Sequence, residues 1–490
     1  MVLLGQAEFE PLGAVRGEVR LNSGGGFLFF ACLVAKEVSA VNSCHLSRRM
    51  WLKSVATGLG SAILIPGGLA RGFRANEAIQ VGIIATGGRG RANMEGVAAL
   101  PGVRIVALCE VDRGRLQQAA QRYPGARTDT DFRRMLDHGD GLDAVVISTP
   151  DHTHAAAAVR AMRQGLHCFC EKPLTRSVYE ARVMREVAAE QQVVTQMGTP
   201  ARGNEDVIRL VEIIRSGALG DLIEAHYWTN RPIWPQGFDR PSGEEPVPES
   251  LDWESWIGPA PMRPFVARWP AGHPVYDLPD NRRRGGYVYH PFVWRGWWDF
   301  GTGALGDIAP HQWHSAYWGL ELGAPSSVQV LETSGPVTEM FPAATTLQFD
   351  FAATGDRPTT KIFWYDGGHF PPADLLAGAT PAPNGSLLVG TKAVIGPGHQ
   401  SVGDFEDVPR TLRRPGGLYQ SWVDGIRHGD PREPSCAFDY AGPLNEACLL
   451  GNIALKMEQR IEWDGVAFRI TNSEPANQYL HAEYRSGWEL

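Results

Sequence analysis

A glycine-rich turn and one acidic residue downstream of it have the spacing of a nucleotide-binding site. The turn reads Ala85-Thr86-Gly87-Gly88-Arg89-Gly90 and separates a short apolar run from a helical pattern. Gly87 lets the backbone approach a pyrophosphate, and Gly90 allows tight packing of the helix whose N-terminus faces the phosphates. Glu110 lies 20 residues beyond Gly90, where a carboxylate accepts hydrogen bonds from the adenosine ribose and repels a 2′-phosphate. The pattern predicts a dinucleotide site that favours NAD, although Arg113 is close enough in sequence to reach the 2′-phosphate of NADP.

The elements that must hold this turn alternate between short apolar runs and helical segments. Predicted strands cover Gln80–Ala85, Val103–Cys109, Asp143–Ser148, His167–Cys170 and Val193–Gln196. Predicted helices cover Arg91–Leu100, Asp112–Arg122, an Ala-rich segment that ends at Gln164, and Ser177–Glu190. Ser177 and Glu180 have the spacing of a capping box. Strands that are apolar on both faces and alternate with helices predict a parallel doubly wound sheet, a Rossmann domain over residues 77–198.

The pattern changes after Gly198. A predicted helix over Asn204–Ser216 is followed by a stretch rich in Pro, Trp, Arg and Gly from Arg231 to Gly303. Predicted strands then cover Ser327–Thr333, Ala344–Phe351 and Thr360–Tyr365, and predicted helices cover Tyr419–Arg427 and Gly442–Gln459. Successive strands without intervening helices predict that residues 199–490 form an α+β domain with a largely antiparallel open sheet.

The first 76 residues have the composition of an extension and an export signal. Arg48 and Arg49 are followed by Met50-Trp51-Leu52-Lys53 and by an uncharged stretch from Ser54 to Ala70, which resembles a twin-arginine signal. We therefore expect a periplasmic or extracytoplasmic protein. The alternative is an ordinary apolar helix with two chance arginines. The stretch is too short and Gly-rich for a stable membrane anchor, and residues 1–46 are either a start-site artefact or a disordered extension.

The net charge and the cysteine spacing limit the kinds of partner and metal that the protein is expected to bind. The net charge is −8, with no dense block of Lys or Arg, which disfavours nucleic acid as the main partner. The seven cysteines form no pattern with zinc-site spacing, so we expect free thiols and no structural metal.

Two further motifs follow predicted strands, Thr149-Pro150-Asp151 with His154, and Glu171-Lys172-Pro173. With the glycine turn and Glu110, they make the chain from Ala78 to Leu490 resemble the Gfo/Idh/MocA oxidoreductases. Ala85 departs from the first glycine of the common motif, and one methyl group fits many such turns. The resemblance implies a nicotinamide cofactor bound by Thr86, Gly87, Gly88, Arg89, Gly90, Glu110, Thr149, Pro150, Asp151, His154, Glu171, Lys172 and Gln196.

The same resemblance implies a catalytic group made of Lys172, Asp307 and His311. Asp307 and His311 are four residues apart and share one face of a helix, although Pro310 would bend that helix. Removing hydride from a carbinol carbon needs a base for the hydroxyl proton, and His or a buried Lys has a suitable pKa. We expect Asp307 to orient His311; the alternative for His311 is a capping or core role. His314 lies one turn on, but no third ligand predicts a metal site.

The run Tyr287–Phe300 contains three Trp, two Tyr and two Phe residues beside His290 and Arg295. Aromatic rings of this density line carbohydrate sites, but they also form cores and subunit interfaces. Both interpretations stay open from the sequence.

The combined observations predict an exported, NAD-dependent oxidoreductase that acts on a sugar, cyclitol or glycoside with a tightly held cofactor. One alternative is a redox-neutral, NAD-dependent glycoside hydrolase or lyase. A second is a cofactor-bound protein without turnover. We also expect a homo-oligomer formed through the C-terminal sheet.

Overall fold

The computed structural model describes residues 78–138 and 141–490. The predictions made for residues 1–76, including the twin-arginine segment, lie outside the described residues. No helix among the described residues is both long enough and apolar enough to cross a membrane.

The first part of the described chain forms a six-stranded parallel sheet. Its strands are β1 (Ile79–Ile84), β2 (Val103–Cys109), β3 (Arg127–Asp129), β4 (Ala144–Ile147), β5 (His167–Cys170) and β6 (Thr195–Met197). The helices between them are α1 (Arg89–Ala98), α2 (Arg113–Arg122), α3 (Phe132–Asp137), α4 (Asp151–Arg163) and α5 (Val178–Glu190). The strand order β3-β2-β1-β4-β5-β6 places a topological switch point at the carboxyl ends of β1 and β4, where such sheets bind ligands.

This sheet confirms the predicted doubly wound fold. Two elements were missed, β3 and α3, because three and six residues are too short to show a hydrophobic period. Asp112, the first residue of the predicted helix, caps α2 by accepting hydrogen bonds from its first turn. Ser177 and Glu180 form the expected capping box of α5.

The second part of the chain is built on a mixed sheet of eight strands. They are β7 (Leu222–Trp228), β8 (Ser327–Thr333), β9 (Thr345–Phe351), β10 (Thr360–Tyr365), β11 (Gly385–Gly390), β12 (Val394–Ile395), β13 (Ile461–Asp464) and β14 (Arg469–Ile470). Their order is β12-β11-β7-β10-β9-β8-β13-β14. Only the β7–β10 pair is parallel, which confirms a largely antiparallel sheet.

Helices of this part pack on one another and on the sheet. They are α6 (Glu205–Arg215), α7 (Trp253–Ile257), α8 (Asp280–Arg283), α9 (Gly303–Gln312), α10 (His314–Gly319), α11 (Leu418–His428) and α12 (Phe438–Met457). The long helix α12 is buried over most of its length and contacts both α5 and α9. It therefore ties the Rossmann sheet to the helix that carries the expected Asp and His.

The stretch between β7 and α9 folds around an aromatic core. Tyr289, Trp297 and Phe300 are buried among Trp253 and Trp256. Most of the aromatic run is therefore core. A minority of its side chains, described below, line the cavity beside the glycine turn, and their role towards a carbohydrate stays a prediction.

Two backbone hydrogen bonds attach this aromatic stretch to the end of β2. The Arg113 N–H donates to the Ser250 carbonyl at 2.8 Å, and the Asp252 N–H donates to the Val111 carbonyl at 2.9 Å. We call residues 250–252 the strap. Because β2 ends at Cys109, immediately before Glu110, the strap lies next to the predicted adenosine end of the cofactor site.

Candidate dinucleotide and catalytic site

The glycine turn has little room for side chains. A Cβ on Gly90 would lie 2.0 Å from the Ala85 carbonyl oxygen, so only glycine fits where α1 approaches β1. Gly88 has a φ of 53° and open space around it. Ala85 has a φ of 71°, a left-handed backbone that disfavours a Cβ. The substitution of alanine for the first glycine of the motif thus carries backbone strain, contrary to the expectation that a methyl group fits without consequence.

Glu110 holds the turn in place. Its Oε2 accepts hydrogen bonds from the backbone N–H groups of Thr86 at 2.9 Å and Gly87 at 3.1 Å, and its Oε1 accepts from Asp112 N–H at 3.1 Å. Burial raises the pKa of Glu110 against the lowering effect of these hydrogen bonds. Each carboxylate oxygen has about two acceptor positions, so Oε1 keeps one for a ribose hydroxyl.

A cavity of about 270 Å³ adjoins this turn. The Rossmann sheet supplies the following lining residues: Ile84, Ala85, Gly87, Gly88, Arg89, Cys109, Glu110, Val111, Arg115, Thr130, Phe132, Ser148, Thr149, Pro150 and Thr153. The aromatic stretch supplies Ser255, Trp256, His290, Pro291, Phe292, Trp294 and Arg295. Arg115, rather than the Arg113 suggested by the sequence, is the arginine beside Glu110 that lines the cavity.

Glu171 links the glycine turn to the motif after β5. Its Oε1 accepts hydrogen bonds from Arg89 Nε at 2.8 Å and from Asn93 Nδ2 at 2.9 Å. A Cβ on Gly198 would lie 2.6 Å from the Glu171 carboxyl carbon. Glu171 is therefore a buried organiser of the loops at this edge of the sheet.

The motif after β4 is buried at the start of α4. Pro150 precedes the helix, and the ring nitrogens of His154 lie 2.9 Å from the Pro173 carbonyl and 3.0 Å from the Thr149 carbonyl. Burial lowers the pKa of His154. Its ring therefore joins the two motif loops to each other.

Asp151 is a buried carboxyl group with one well-defined partner. Thr302 Oγ1 donates to its Oδ2 at 2.9 Å, while its Oδ1 is buried and has no hydrogen-bond partner among the described residues. Burial raises the pKa of Asp151 to about 8; nearby Arg295 opposes this shift and Asp307 adds to it. The group is therefore largely protonated at neutral pH.

Lys172 and Asp307 form the centre expected from the resemblance. Lys172 Nζ donates to Asp307 Oδ1 at 2.7 Å and to the Asp307 carbonyl at 2.8 Å. Arg295 Nε donates to the same Oδ1 at 3.1 Å. Burial alone would raise the pKa of Asp307, but attraction to Lys172 and Arg295 outweighs it and holds the pKa below its ordinary value.

His311 lies on the same helix as Asp307, but Asp307 does not orient it. Its Nδ1 is 3.2 Å from Thr199 Oγ1, and the hydrogen bonds of the Asp307 carboxylate go to Lys172 and Arg295. No hydrogen bond joins Asp307 to His311 among the described residues, so the expected orientation of His311 by Asp307 is not seen. Lys172 and Arg295 both donate to Oδ1 of Asp307, and the carboxylate acts on His311 through its charge alone. Surrounding protein and repulsion by Lys172 lower the pKa of His311, although the side chain is accessible to solvent.

Pro310 does not break this helix before His311. Helix α9 continues to Gln312, and α10 begins at His314. His314 hydrogen-bonds the Tyr440 hydroxyl at 2.9 Å, and no group of three metal-ligating side chains occurs within residues 78–138 and 141–490.

Gln196 is engaged away from the cavity. Its amide nitrogen donates to the Met197 and Thr199 carbonyls, and its amide oxygen accepts from Cys436 N–H. These bonds position the loop that carries Thr199, so Gln196 acts on the site through its backbone neighbours.

Sequence reasoning missed Arg115, Asn93 and Arg295 as site residues. Arg295 stood out only as a charged residue inside an aromatic run, and no spacing rule connects it to Asp307. Asn93 sits one turn into α1, where its buried amide bridges Ser148 and Glu171. The only sign of this role in the sequence is the position of Asn93, on the first turn of the helix that follows the glycine motif.

The residues present fit a nicotinamide dinucleotide. The turn excludes side chains at Gly90, the N-terminus of α1 faces the cavity, and an acceptor position remains on Glu110. The buried Oγ1 atoms of Thr86 and Thr149 have no partner among the described residues, which suits a site built for a polar ligand.

Comparison with known proteins agrees with this geometry. Residues 79–199 match the Gfo/Idh/MocA family model, described as an oxidoreductase family with an NAD-binding Rossmann fold. The match covers the residues that form the six-stranded parallel sheet and its helices. The inositol 2-dehydrogenase of Arthrobacter sp. strain FB24 is 30% identical over 166 residues, which cover 33% of this chain and 48% of that protein.

A glycosyl hydrolase family 109 protein of Solibacter usitatus is 30% identical over 194 residues, 36% of this chain and 44% of that protein. The chain thus matches about half the length of these curated relatives. Two solved structures share the fold. GenD2 from gentamicin A biosynthesis, in complex with NAD, has 18% identity and a TM-score of 0.52, covering 81% of this chain and 99% of that one. The WlbA dehydrogenase of Bordetella pertussis, in complex with NADH and UDP-GlcNAcA, has 17% identity and a TM-score of 0.52, covering 79% and 99%.

Proposed function

We propose that the protein is an NAD-dependent oxidoreductase that transfers hydride between a tightly held nicotinamide cofactor and a CH–OH group of a sugar, cyclitol or glycoside. The observation that carries this proposal is the pairing of Lys172 with Asp307 at the edge of a sheet whose glycine turn and Glu110 suit NAD. A lysine held by a buried carboxylate beside a dinucleotide site can hydrogen-bond the oxygen of a substrate and stabilise its developing negative charge.

Each side chain has a separate task in this proposal. When bound, NAD supplies the acceptor for hydride from the carbinol carbon. His311, whose pKa is lowered, is neutral at pH 7 and takes the hydroxyl proton. Lys172 uses two of its three N–H donors on Asp307, which leaves one to hydrogen-bond the substrate oxygen and stabilise its developing negative charge.

Retention of the cofactor is supported by the strap and the aromatic stretch. Trp256, His290 and Trp294 line the cavity opposite the glycine turn, and the strap fixes this wall to the end of β2 through backbone hydrogen bonds. A cofactor enclosed in this way exchanges slowly, because release requires the wall to move.

A redox-neutral hydrolase or lyase is the second candidate. The resemblance to the family 109 glycosyl hydrolase over 194 residues favours it, and an enclosed cofactor suits a cycle in which hydride is taken and returned. The two candidates differ in their products: net oxidation leaves reduced cofactor, whereas the redox-neutral cycle leaves a cleaved glycoside with NAD restored.

Export by the twin-arginine route is part of the proposal. Arg48 and Arg49 precede an uncharged stretch of suitable length, and this route carries folded proteins with their cofactors in place. Changing both to Lys should leave the protein in the cytoplasm, as measured by cell fractionation. Unimpaired export of that variant would mean that the segment is not such a signal.

A homo-oligomer formed through the C-terminal sheet stays a prediction. Leu331 of β8 is 46% exposed, as expected for a sheet face that another copy covers. Replacing it with Glu and measuring mass by light scattering tests this interface.

The proposed function is tested by isolating the protein, releasing its cofactor by denaturation, and screening free sugars and glycosides for products. We expect NAD in the released fraction and either an oxidised sugar or a cleaved glycoside among the products. A protein that releases no nicotinamide cofactor and changes no compound in the screen would contradict the proposal and favour a binding role.

A further inference from the structure

Two arginines of the aromatic stretch share one phenylalanine beside the Lys172–Asp307 pair. The guanidinium carbons of Arg284 and Arg295 each lie 4.4 Å from the centre of the Phe292 ring. Phe292 adopts a φ of 74°, a left-handed conformation that is rare for a bulky residue. Such strained residues persist only where surrounding structure holds them, and they concentrate at ligand sites.

The cations of this cluster outnumber the nearby carboxylates. Arg295 shares Asp307 with Lys172. No carboxylate among the described residues lies within ion-pair distance of Arg284, whose Nε donates instead to the Ile233 carbonyl at 2.7 Å. Burial and repulsion by Arg231 and Arg295 lower the pKa of Arg284. The fold therefore holds uncompensated positive charge at this point.

The free donors of the cluster are available to a ligand. The terminal nitrogens of Arg284 and Nη2 of Arg295 have no hydrogen-bond partner within the described part of the chain, and none of them is buried without a partner. Arg295 and Phe292 also line the cavity that adjoins the glycine turn. A planar guanidinium with free terminal N–H groups matches the geometry of a carboxylate or phosphate.

We propose that Arg284 and Arg295, stacked on Phe292, form a subsite for an oxyanion of the substrate, so that the substrate is an acidic sugar derivative such as a uronate or a sugar phosphate. This inference rests on the proposed oxidoreductase function. The subsite lies next to the reacting centre, because Arg295 and Lys172 donate to the same oxygen of Asp307.

The test compares matched ligands on the protein with its bound cofactor. Glucuronate and glucose 6-phosphate are each titrated against glucose by calorimetry at low and high salt, and reduction of bound NAD is followed with the same compounds. We expect the acidic compounds to bind at least tenfold more tightly than glucose at low salt. We also expect the difference to shrink at high salt, because the contact is electrostatic.

Variants then assign the effect to the cluster. Arg284→Gln should remove most of the preference for the acidic compounds, while Arg284→Lys, which keeps the charge but not the planar donors, should remove part of it. The matched control is Arg104→Gln, which removes an exposed arginine of β2. The control should change neither acidic nor neutral binding.

Other outcomes would overturn the inference. Equal binding of acidic and neutral compounds by the unmodified protein would do so, even if Arg284→Gln failed to fold. So would an Arg284→Gln variant that keeps the preference, or one that loses NAD without changing the preference, since the arginines would then serve the cofactor pyrophosphate. Reduction of bound NAD by glucose alone would leave the oxidoreductase function standing and remove the acidic subsite. Tight binding of the acidic compounds with no reduction or cleavage of any compound would remove the function and keep the subsite.

Discussion

At the scale of single residues, the buried carboxyl groups of the site differ in their charge at neutral pH. Asp307 is stabilised as an anion by Lys172 and Arg295, which outweigh the effect of its burial. Asp151 has a neutral hydroxyl as its hydrogen-bond partner, so burial dominates and raises its pKa to about 8. Asp307 is therefore an anion that binds cations at neutral pH, and Asp151 is largely protonated.

The raised pKa of Asp151 predicts a pH dependence of stability. Because the folded protein binds this proton more tightly than the unfolded chain, the free energy of unfolding should fall as pH rises from about 4 towards 8, by at most about 1.4 kcal/mol per pH unit. Asp151→Asn cannot ionise and should remove this dependence. Urea unfolding of both proteins at pH 5, 6, 7 and 8 measures it; parallel curves at all four values would show that Asp151 ionises normally.

Glu110 offers a second prediction at this scale. Glu110→Ala leaves the Thr86 and Gly87 N–H groups without their acceptor and removes the ribose contact. NAD affinity should therefore fall, by a few kcal/mol at most. Titration calorimetry measures the loss. Glu110→Gln, which keeps one acceptor oxygen, is the matched control and should lose less. Unchanged NAD affinity in Glu110→Ala would mean that the carboxylate serves only the fold.

At the scale of elements, the glycine turn between β1 and α1 contains both a required glycine and a strained alanine. Gly90 permits the close approach of α1 to the Ala85 carbonyl. Ala85 occupies a left-handed position where glycine is at no disadvantage. Ala85→Gly should raise the free energy of unfolding by about 1 kcal/mol, as measured by urea unfolding.

Two substitutions bracket that result. Gly90→Ala should lower stability and NAD affinity together, because the new Cβ meets backbone that cannot move aside. Gly125→Ala, at a turn with open space around it, should change neither. If Ala85→Gly proves less stable than the parent protein, the strain assigned to this turn is absent.

The strap joins the aromatic wall of the cavity to the end of β2, beside Glu110, and we expect it to slow release of the cofactor. Asp252→Pro removes the N–H that donates to the Val111 carbonyl while the φ of −80° at this position still suits proline. NAD should dissociate faster from this variant, as measured by loss of bound cofactor during dilution and gel filtration. Asp252→Asn keeps the N–H and an N-cap acceptor, and should retain cofactor like the parent. Equal retention by both variants would exclude the strap as a closing device.

Prediction from sequence succeeded for elements long enough to show a hydrophobic period and for motifs whose side chains have a known chemical role. The strands of the Rossmann sheet other than β3 and the capping box at Ser177 followed from pattern. The resemblance placed Lys172 and Asp307 in one site, but their ion pair appears only in the structure. Prediction failed for β3 and for β12, whose few residues carry no period, and for Arg295, whose partners lie on other elements. Tertiary contacts also redirected the Asp307 carboxylate from the expected His311 to two cations.

At the scale of the whole molecule, the long α12 and the strap bring the second part of the chain against the carboxyl edge of the Rossmann sheet. Helix α12 packs on both α5 and α9. Because Asp307 lies on α9, this packing holds Asp307 beside Lys172. The aromatic stretch covers the cavity and contributes Arg295. The Rossmann part therefore supplies the candidate dinucleotide site and Lys172, and the second part supplies Asp307, His311 and the aromatic wall of the cavity.

The most direct test of this account is the rate at which bound NAD is reduced when an active sugar derivative is added, followed by the absorbance of reduced nicotinamide. His311→Ala should keep its bound NAD, because His311 is not among the residues that line the cavity beside the glycine turn. It should slow reduction by roughly 10²–10⁴-fold, the usual loss for a positioned acid–base group. His428→Ala, on an exposed helix end, is the control and should react at the parent rate. If His311→Ala reduces its bound NAD as fast as the parent protein, the proposed acid–base role is wrong.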